Sequence, residues 1–278
     1  MSEPEHVLSL SYGKDSLACL GAIEKLGWPL DRIIHAEVWA TDTIPADPPP
    51  MVEFKAKADT IIKERWGIEV EHIRHEMTYE EMFYRPICRG SQKGTVKGWP
   101  LTTRSRSWCR HLKVTEKING SGNIVYIGIA VDEPSRFHNL SDTKKSPLKE
   151  AGWTEAECRR WCEKNGLLSP IYSNATRGGC WFCHNQGVQQ LRLLRRGYPE
   201  LWAMLLKWDA DSPVTFKAPS GNETVGHTVH DYERRFQLED RLHINTDARG
   251  FKWEMLDLGV PAKYLLKGRI KWLDENGE

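Results

Sequence analysis

The sequence predicts an α/β fold: a doubly wound, mostly parallel sheet followed by a C-terminal helical part. Three observations point to it. Short apolar runs alternate with amphipathic helical segments through the first half of the 278 residues. A continuous apolar run, Asn123–Ala130 (NIVYIGIA), has the makeup of a central strand. Beyond Cys183 the periodicity is helical.

The elements follow in order. Val7, Leu8 and Leu10 make His6–Ser11 a short buried strand. Gly13 breaks it, and Asp15–Lys25 then sets Leu17, Leu20 and Ile23 at helical spacing. After Gly27-Trp28-Pro29, Arg32–Ala40 is a second strand. A proline-rich loop, Thr43–Pro50, leads into a helix over Met51–Arg65 that Gly67 ends, and Ile68–Arg74 alternates as a third strand. Thr154–Lys164 carries a Thr-x-x-Glu capping box from Thr154 to Glu157. Val188–Arg196 and Pro199–Asp209 are two helices. From Ser212 onward the signals weaken, apart from a helix around His230–Arg241 and a Trp-bearing tail. This divides the chain into an α/β domain, 1–150, and a mainly helical region, 151–278, that carries the late cysteine pair.

Composition bounds the function. A hydrophobic content of 40% and a charged content of 28% describe a soluble globular protein. Net charge is +1, so anion binding has to be local. No apolar run is long enough to span a membrane, and Met1–His6 lacks the features of a leader, so a cytoplasmic protein without a membrane partner is expected. Seven cysteines in such a chain argue for metal or redox work over a disulfide framework.

The chemistry gathers at three places. The first is the loop between the first strand and helix, where backbone N–H groups and the helix dipole favour an anion. Gly13 allows close approach, Lys14 adds charge, and Ser11 and Ser16 add hydroxyls. Asp15 would repel phosphates unless a cation lies between, which favours a Mg²⁺-bridged nucleotide. The spacing is neither a Walker loop nor Gly-x-Gly-x-x-Gly.

The second place is the stretch from Met82 to Thr115. It has no Asp or Glu but contains Arg85, Arg89, Lys93, Lys97, Arg104, Arg106, Arg110 and Lys113. Such a concentration suits a clamp for phosphates, of a nucleotide or of a nucleic-acid acceptor. After the central strand, Val131–Arg136 (VDEPSR) puts Asp132, Glu133 and Arg136 at a strand's carboxyl end, where ligands bind; helix capping is the plainer role for Asp132.

Cysteines make the third. Cys180-Trp-Phe-Cys183 can grip a metal from a tight turn, and the pattern is shared by zinc, iron–sulfur and redox dithiols. Cys109, between basic residues that favour thiolate, is the third ligand expected. Cys158 and Cys162 stand at i, i+4 and read as half-buried helix residues, Cys19 reads as core, and Cys88 has no spacing rule behind it.

In this order, SYGKDS, Arg104–Val114 (RSRSWCRHLKV), Tyr126–Arg136 (YIGIAVDEPSR), Gly152–Cys158 (GWTEAEC) and Gly179–Gln186 (GGCWFCHNQ) resemble the phosphoadenosine phosphosulfate (PAPS) reductase family in its broad sense. The loop is similar to the Ser-Gly-Gly-x-Asp-Ser pyrophosphate loop of the adenine nucleotide alpha-hydrolase superfamily, which includes ATP pyrophosphatases and tRNA thiolation enzymes. Tyr12 stands where its first Gly would be. The resemblance spans about Val7 to Asp209. It implies a Rossmann-like domain holding ATP or a related adenylyl nucleotide through Ser11, Gly13, Lys14, Asp15, Ser16, Arg104, Arg106, Asp132 and Arg136. It also implies a sulfur donor and Mg²⁺.

Two departures shape the expected reaction. Reductases resemble one another in a nucleophilic cysteine near the C-terminus, and this chain has none after Cys183. They also generally lack the loop Asp that is present here as Asp15. Both favour ATP pyrophosphatase-type activation of an acceptor for sulfur transfer, with Lys14, Asp15 and Arg136 as catalytic residues. A true PAPS reductase and a non-catalytic nucleotide-binding protein with a structural zinc site are the alternatives. Three thiolates, Cys109, Cys180 and Cys183, suit a 4Fe–4S cluster with one iron open. Zinc would take His184 or His111 as a fourth ligand.

Overall fold

The computed structural model describes residues 3–100, 108–114, 118, 122–173, 178–219, 225–246, 253 and 270–272. The chain forms two compact units. One comprises Met1–Glu81 with Cys109–Cys180, the other Met82–Trp108 with Trp181–Glu278.

The first unit is α/β and contains a parallel five-stranded sheet. Its strands are β1 (His6–Ser9), β2 (Arg32–Glu37), β3 (Val70–Arg74), β4 (Ile124–Tyr126) and β5 (Lys144–Lys145), in spatial order β3-β2-β1-β4-β5. The order runs outward from β1 to β3, then restarts on the other side at β4, which makes the β1/β4 boundary the topological switch point. Side chains alternate faces along each strand. Leu8 and Ile33 pack with helices α1 (Lys14–Leu26) and α2 (Pro49–Trp66), whereas Val7, Ile34 and Val125 pack with Ile118 on the opposite face. Left-handed glycines stop both helices, Gly27 and Gly67, as the sequence signals.

Strand β4 is shorter than the apolar run that announces it. Only Ile124–Tyr126 pair in the sheet, yet Ile129 and Ala130 are buried as well. The run marks burial, and its second half leaves the sheet to pack elsewhere. Strand β5 is two lysines at the sheet edge, a short charged strand of the kind that blunts an edge. Helix α4 (Pro147–Ala151) is capped by Ser146, whose Oγ accepts from the Lys149 amide.

Helix α5 (Glu155–Lys164) has the expected capping box from Thr154 to Glu157. It belongs to the first unit because its buried cysteines, Cys158 and Cys162, join the cluster that includes Leu17, Leu20 and Ile23 of α1. Both are fully buried, more deeply than helix position alone suggests. Gly21 lets the two helices close: a Cβ there would collide with the indole of Trp161.

Helix α3 (Tyr79–Tyr84) carries the chain from the first unit into the second. The second unit is mainly helical: α6 (Val188–Gly197), α7 (Pro199–Asp211) and α8 (Val229–Leu242), with a two-stranded antiparallel ribbon of β6 (Ile244–Thr246) and β7 (Ile270–Trp272). Its core is aromatic. Trp181 stacks on Trp208 with centroids 5.5 Å apart, and Trp99 meets Phe83 edge-on at 5.1 Å. Trp99 Nε1 donates to Asp209 Oδ1 at 3.1 Å, which satisfies the indole in the core. Buried Glu239 accepts from both Arg192 and Arg235. No helix among the described residues is long and apolar enough to cross a membrane.

Gly21→Ala should therefore lower stability by about 1–3 kcal/mol, because a packed indole must move to admit one methyl group. Urea denaturation of the variant checks this; an unchanged midpoint would mean Trp161 swings aside freely.

Candidate functional site

The site grows from the turn between β1 and α1. Leu10 still donates to Ile34 of β2, at 2.9 Å, before the chain leaves the sheet. Tyr12 then takes a left-handed conformation, φ 54°, at the position where the loop pattern has glycine. Gly13 itself is extended, φ −74° and ψ 154°, a conformation open to any residue; what its missing side chain leaves is space. A Cβ on Gly13 would sit 3.4 Å from Tyr172 Oη and 3.5 Å from Ser11 Oγ.

The serines close the turn on itself. Ser16 Oγ donates to the Gly13 carbonyl at 3.0 Å and accepts from the Ser11 amide at 3.2 Å. The two hydroxyls are 3.0 Å apart. The Lys14 amide donates to Tyr172 Oη at 3.0 Å, and Cys162 Sγ donates to the Lys14 carbonyl at 3.2 Å. Burial pushes the Cys162 thiol up to about 12 and raises Cys158 and Cys19 too, so in this packing all three are held as thiols.

From the β4 side, Gly128 approaches the loop so closely that a Cβ would lie 2.7 Å from the Ser16 nitrogen and 2.8 Å from the Asp15 carbonyl carbon. Those neighbours are backbone and cannot swing aside. Past the last bond to β5, from the Ile127 amide to the Lys145 carbonyl at 3.0 Å, the chain thus seats backbone against backbone at the switch point.

Charges converge there. Lys14 Nζ donates to Asp15 Oδ1 at 2.8 Å and lies 3.5 Å from Glu155 Oε2. Burial works to lower the Lys14 pKa, but the Asp15 hydrogen bond and the surrounding carboxylates outweigh it, so the ammonium is held protonated. Glu133 grips Arg136 through Nη1 at 2.6 and 2.8 Å, and it accepts from the Ala130 amide. Carboxylate oxygens of Asp15, Glu133 and Glu155 all lie within 4.8 Å of one another. Asp132 caps α5, accepting from the Glu155 amide at 3.0 Å, which is the plainer of its two expected roles.

So the structure brings Ser11, Gly13, Lys14, Asp15 and Ser16 together, with Glu133, Glu155, Tyr172 and Gly128 added around them. Glu133 lies within VDEPSR without standing out from it, and Glu155 reads in the sequence only as a helix-start acid. Arg104 and Arg106 lie outside the described residues. Cys109 and Cys180 are half-buried members of the first unit, and Cys183 is a half-buried member of the second. Between the last two, Trp181 and Phe182 anchor in the aromatic core of the second unit.

Beneath the loop is a network that sequence reasoning misses. Tyr12 is fully buried, and its hydroxyl donates to Asp59 and lies 3.2 Å from His72 Nε2. His72 bridges Asp59 at 3.0 Å and Glu37 at 2.7 Å through its two ring nitrogens, so both act as donors. The Asp59 and Glu37 carboxylates accordingly raise the His72 pKa to about 9, and His72 holds Glu37 at about 2. Next to it, Lys55 bonds Asp47 and donates to His35 Nε2 at 2.7 Å, so His35 keeps its proton on Nδ1 and gives it to the Leu10 carbonyl at 2.8 Å. Burial and the Lys55 charge lower the His35 pKa to about 4. Glu37, Trp39, Asp47, Lys55, Asp59 and His72 line a cavity of about 210 Å³.

His72 is raised from an ordinary value of 6.5, so its contribution to stability is complete below that value and is lost as pH rises through 9. Wild type should lose on the order of 1–2 kcal/mol across that window, with solvent screening allowed for. In His72→Gln the profile there should be flat. Tyr12→Phe, which removes one buried hydroxyl, should cost about 1–2 kcal/mol at neutral pH. Denaturation at stepped pH decides it; parallel profiles for wild type and His72→Gln would sink the network's role.

No family model matches the chain, and no curated protein matches it. Among solved structures, the U34-tRNA thiolase NcsA from Methanococcus maripaludis with its 4Fe–4S cluster is similar over 84% of this chain and 80% of that chain, at 14% identity and a TM-score of 0.35.

Proposed function

We propose that the protein is an ATP pyrophosphatase-type enzyme that activates an acceptor for sulfur transfer. One observation carries the reading. At the switch point of a parallel sheet, the N-terminus of α1 presents Lys14 and Asp15, and Gly128 packs backbone against backbone beside them. The sequence motifs that resemble the PAPS reductase family support it, since SYGKDS is this turn and Tyr126–Arg136 and Gly152–Cys158 supply the Gly128, Glu133 and Glu155 that surround it.

In this reading an acceptor oxygen attacks the α-phosphate of ATP, pyrophosphate leaves, and sulfur from a donor later displaces AMP. Amides of the first turn of α1 and the Lys14 ammonium face the charge that develops on the phosphates. Arg136, held at a fixed angle by Glu133, offers a second cation near the carboxyl end of β4. Ser11 and Ser16 hold the turn's shape by bonding each other and the Gly13 carbonyl.

The carboxylates set a condition. Three acids beside a phosphate site repel the substrate unless a cation joins them. Asp15, Glu133 and Glu155 are hard oxygen donors within 4.8 Å of one another, which fits Mg²⁺. Bound there, Mg²⁺ would neutralise phosphate charge and polarise a phosphoryl oxygen. For the cysteines, the donor chemistry of Cys109, Cys180 and Cys183 fits a thiolate-ligated centre. An iron–sulfur cluster held by them would supply an open iron for sulfide. The loop acid Asp15 favours this reading over the PAPS reductase one.

Calorimetry with ATP, with and without Mg²⁺, tests the nucleotide site. Asp15→Ala should weaken Mg²⁺-dependent binding about tenfold or more while leaving metal-free binding within about twofold. No heat of binding under either condition would refute the site. With acceptor present, AMP and pyrophosphate are the expected products; rapid sulfite release from phosphoadenosine phosphosulfate and a thiol would reinstate the reductase.

The cysteine centre has its own test. Protein purified without oxygen should be brown with broad visible absorption, and Cys180→Ser should abolish the colour. Colourless protein with stoichiometric zinc would make the centre structural and leave the nucleotide reading standing.

A further inference from the structure

In the second unit, the chain from Phe83 to Gly98 folds back on itself as a hairpin-like arm. Lys97 donates to the Arg85 carbonyl at 3.1 Å, Ile87 to Thr95 at 2.8 Å, and Gly94 to Ile87 at 2.9 Å. Pro86 and Val96 form an antiparallel bridge between the two legs. Gly90 and Gly94 turn the tip with φ of 85° and 88°, a region other residues avoid. The base of the arm is fixed, because Phe83 and Trp99 stand in the aromatic core.

This arm frames a cavity of about 610 Å³, whose walls include Arg85, Ile87, Arg89, Gln92, Lys97 and Trp108. That volume holds a nucleotide-sized group. Three of these walls are cationic, and none of the described lining residues carries a carboxylate. Lys97 turns its ammonium to the thioether of Met82, at 3.3 Å, and its pKa is lowered by burial and by the nearby Arg85 charge. Several cations lining one recess attract an anion such as a phosphate. The cations also continue out of the recess: Arg89 and Lys93 are exposed at the tip, and the whole stretch from Met82 to Thr115 lacks acid. One phosphate group does not use a charge distribution of that extent, whereas a chain of phosphates does.

We propose that the hairpin cavity binds single-stranded nucleic acid, one unstacked nucleotide entering the recess while the neighbouring phosphates lie along the cationic arm. Ile87 and the edge of Trp108 give the base apolar contact, and the Gln92 amide can donate to and accept from its polar edge. A duplex keeps its bases stacked and offers no such group to a recess. As the acceptor to be activated, this strand rests on the enzymatic reading above; the binding itself does not.

Fluorescence anisotropy of full-length protein with labelled 12-nucleotide RNA and DNA single strands, titrated between 50 and 200 mM salt, tests the proposal. The triple variant Arg85→Ala/Arg89→Ala/Lys97→Ala should bind at least tenfold more weakly. Its slope of log K against log salt should fall by about 2, at roughly 0.7 for each phosphate that is no longer neutralised. Arg89→Glu, an exposed change that leaves the core intact, should weaken binding in the same direction and covers the case of a misfolded triple variant. Mg²⁺–ATP calorimetry on Arg89→Glu should match wild type, and failure of ATP binding in wild type would count against the loop alone. Oligonucleotide affinity within twofold of wild type in both variants overturns the proposal. So does equal competition by AMP, mole for mole, which would make the cavity a mononucleotide site, or equal binding of a 12-base-pair duplex.

Discussion

The left-handed turn at Tyr12 is the constraint on which the rest of the first unit depends. A chain that leaves a parallel strand and must start a helix within a few residues needs one backbone position with positive φ. For a side chain other than glycine that costs about 1–2 kcal/mol. Here the cost is offset from below. The phenol reaches Asp59 and His72, its ring meets His35 edge-on at 4.8 Å, and Lys55 sits 5.2 Å from its centroid. A glycine would adopt the turn without strain but would leave a ring-sized void above α2. The loop is therefore held by tertiary contacts instead of by intrinsic backbone preference, and its shape is tied to charged groups on β2, β3 and α2.

From that turn the electrostatics of the site follow. With the backbone reversed, Lys14 and Asp15 open α1, and the segment after β4 supplies Gly128 beneath them and Glu133 beside them. Every cation there has an acid against it: Lys14 has Asp15, and Arg136 has Glu133. A bare anion gains little at such a site. An anion that arrives with its own divalent cation would gain both partners, the carboxylates for the metal and the Lys14 and Arg136 cations for the phosphates.

Much of this is legible in the sequence, for reasons that differ from element to element. The helices α1, α2, α5, α6, α7 and α8 are visible because period and punctuation agree: Gly27 and Gly67 as stops, Thr154 with Glu157 as a box, Pro199 as a start. Strand β1 and the loop are visible because the whole motif is contiguous. The apolar run Asn123–Ala130 reads as strand throughout because burial and pairing leave the same hydrophobic trace, and only Gly128 hints that the backbone is needed elsewhere. Strand β5 gives no signal, since two lysines at an edge look like loop. The Tyr12 network is invisible for a physical reason: its partners are 47 and 60 residues away, and His72 and Asp59 read as ordinary polar positions on a strand and a helix. Glu155 shares this problem, because a first-turn acid is already explained by the helix dipole.

On the two proposals above, the near-neutral net charge hides a division of labour between two kinds of phosphate recognition. In the first unit acids and bases are interleaved, so on the proposed reading the loop would discriminate by requiring a metal with its nucleotide, its geometry fixed by Gly128 and the Ser11–Ser16 pair. In the second unit the hairpin arm carries bases without acids, so phosphate attraction along the proposed path would be steep in salt, with the recess adding the geometric selection. The two demands oppose each other within one surface: acids that help to hold a metal would repel a polyanion, and an acid-free patch would bind nucleotides without a metal. Placing them on separately packed units, each with its own core, lets one chain of net charge +1 keep both.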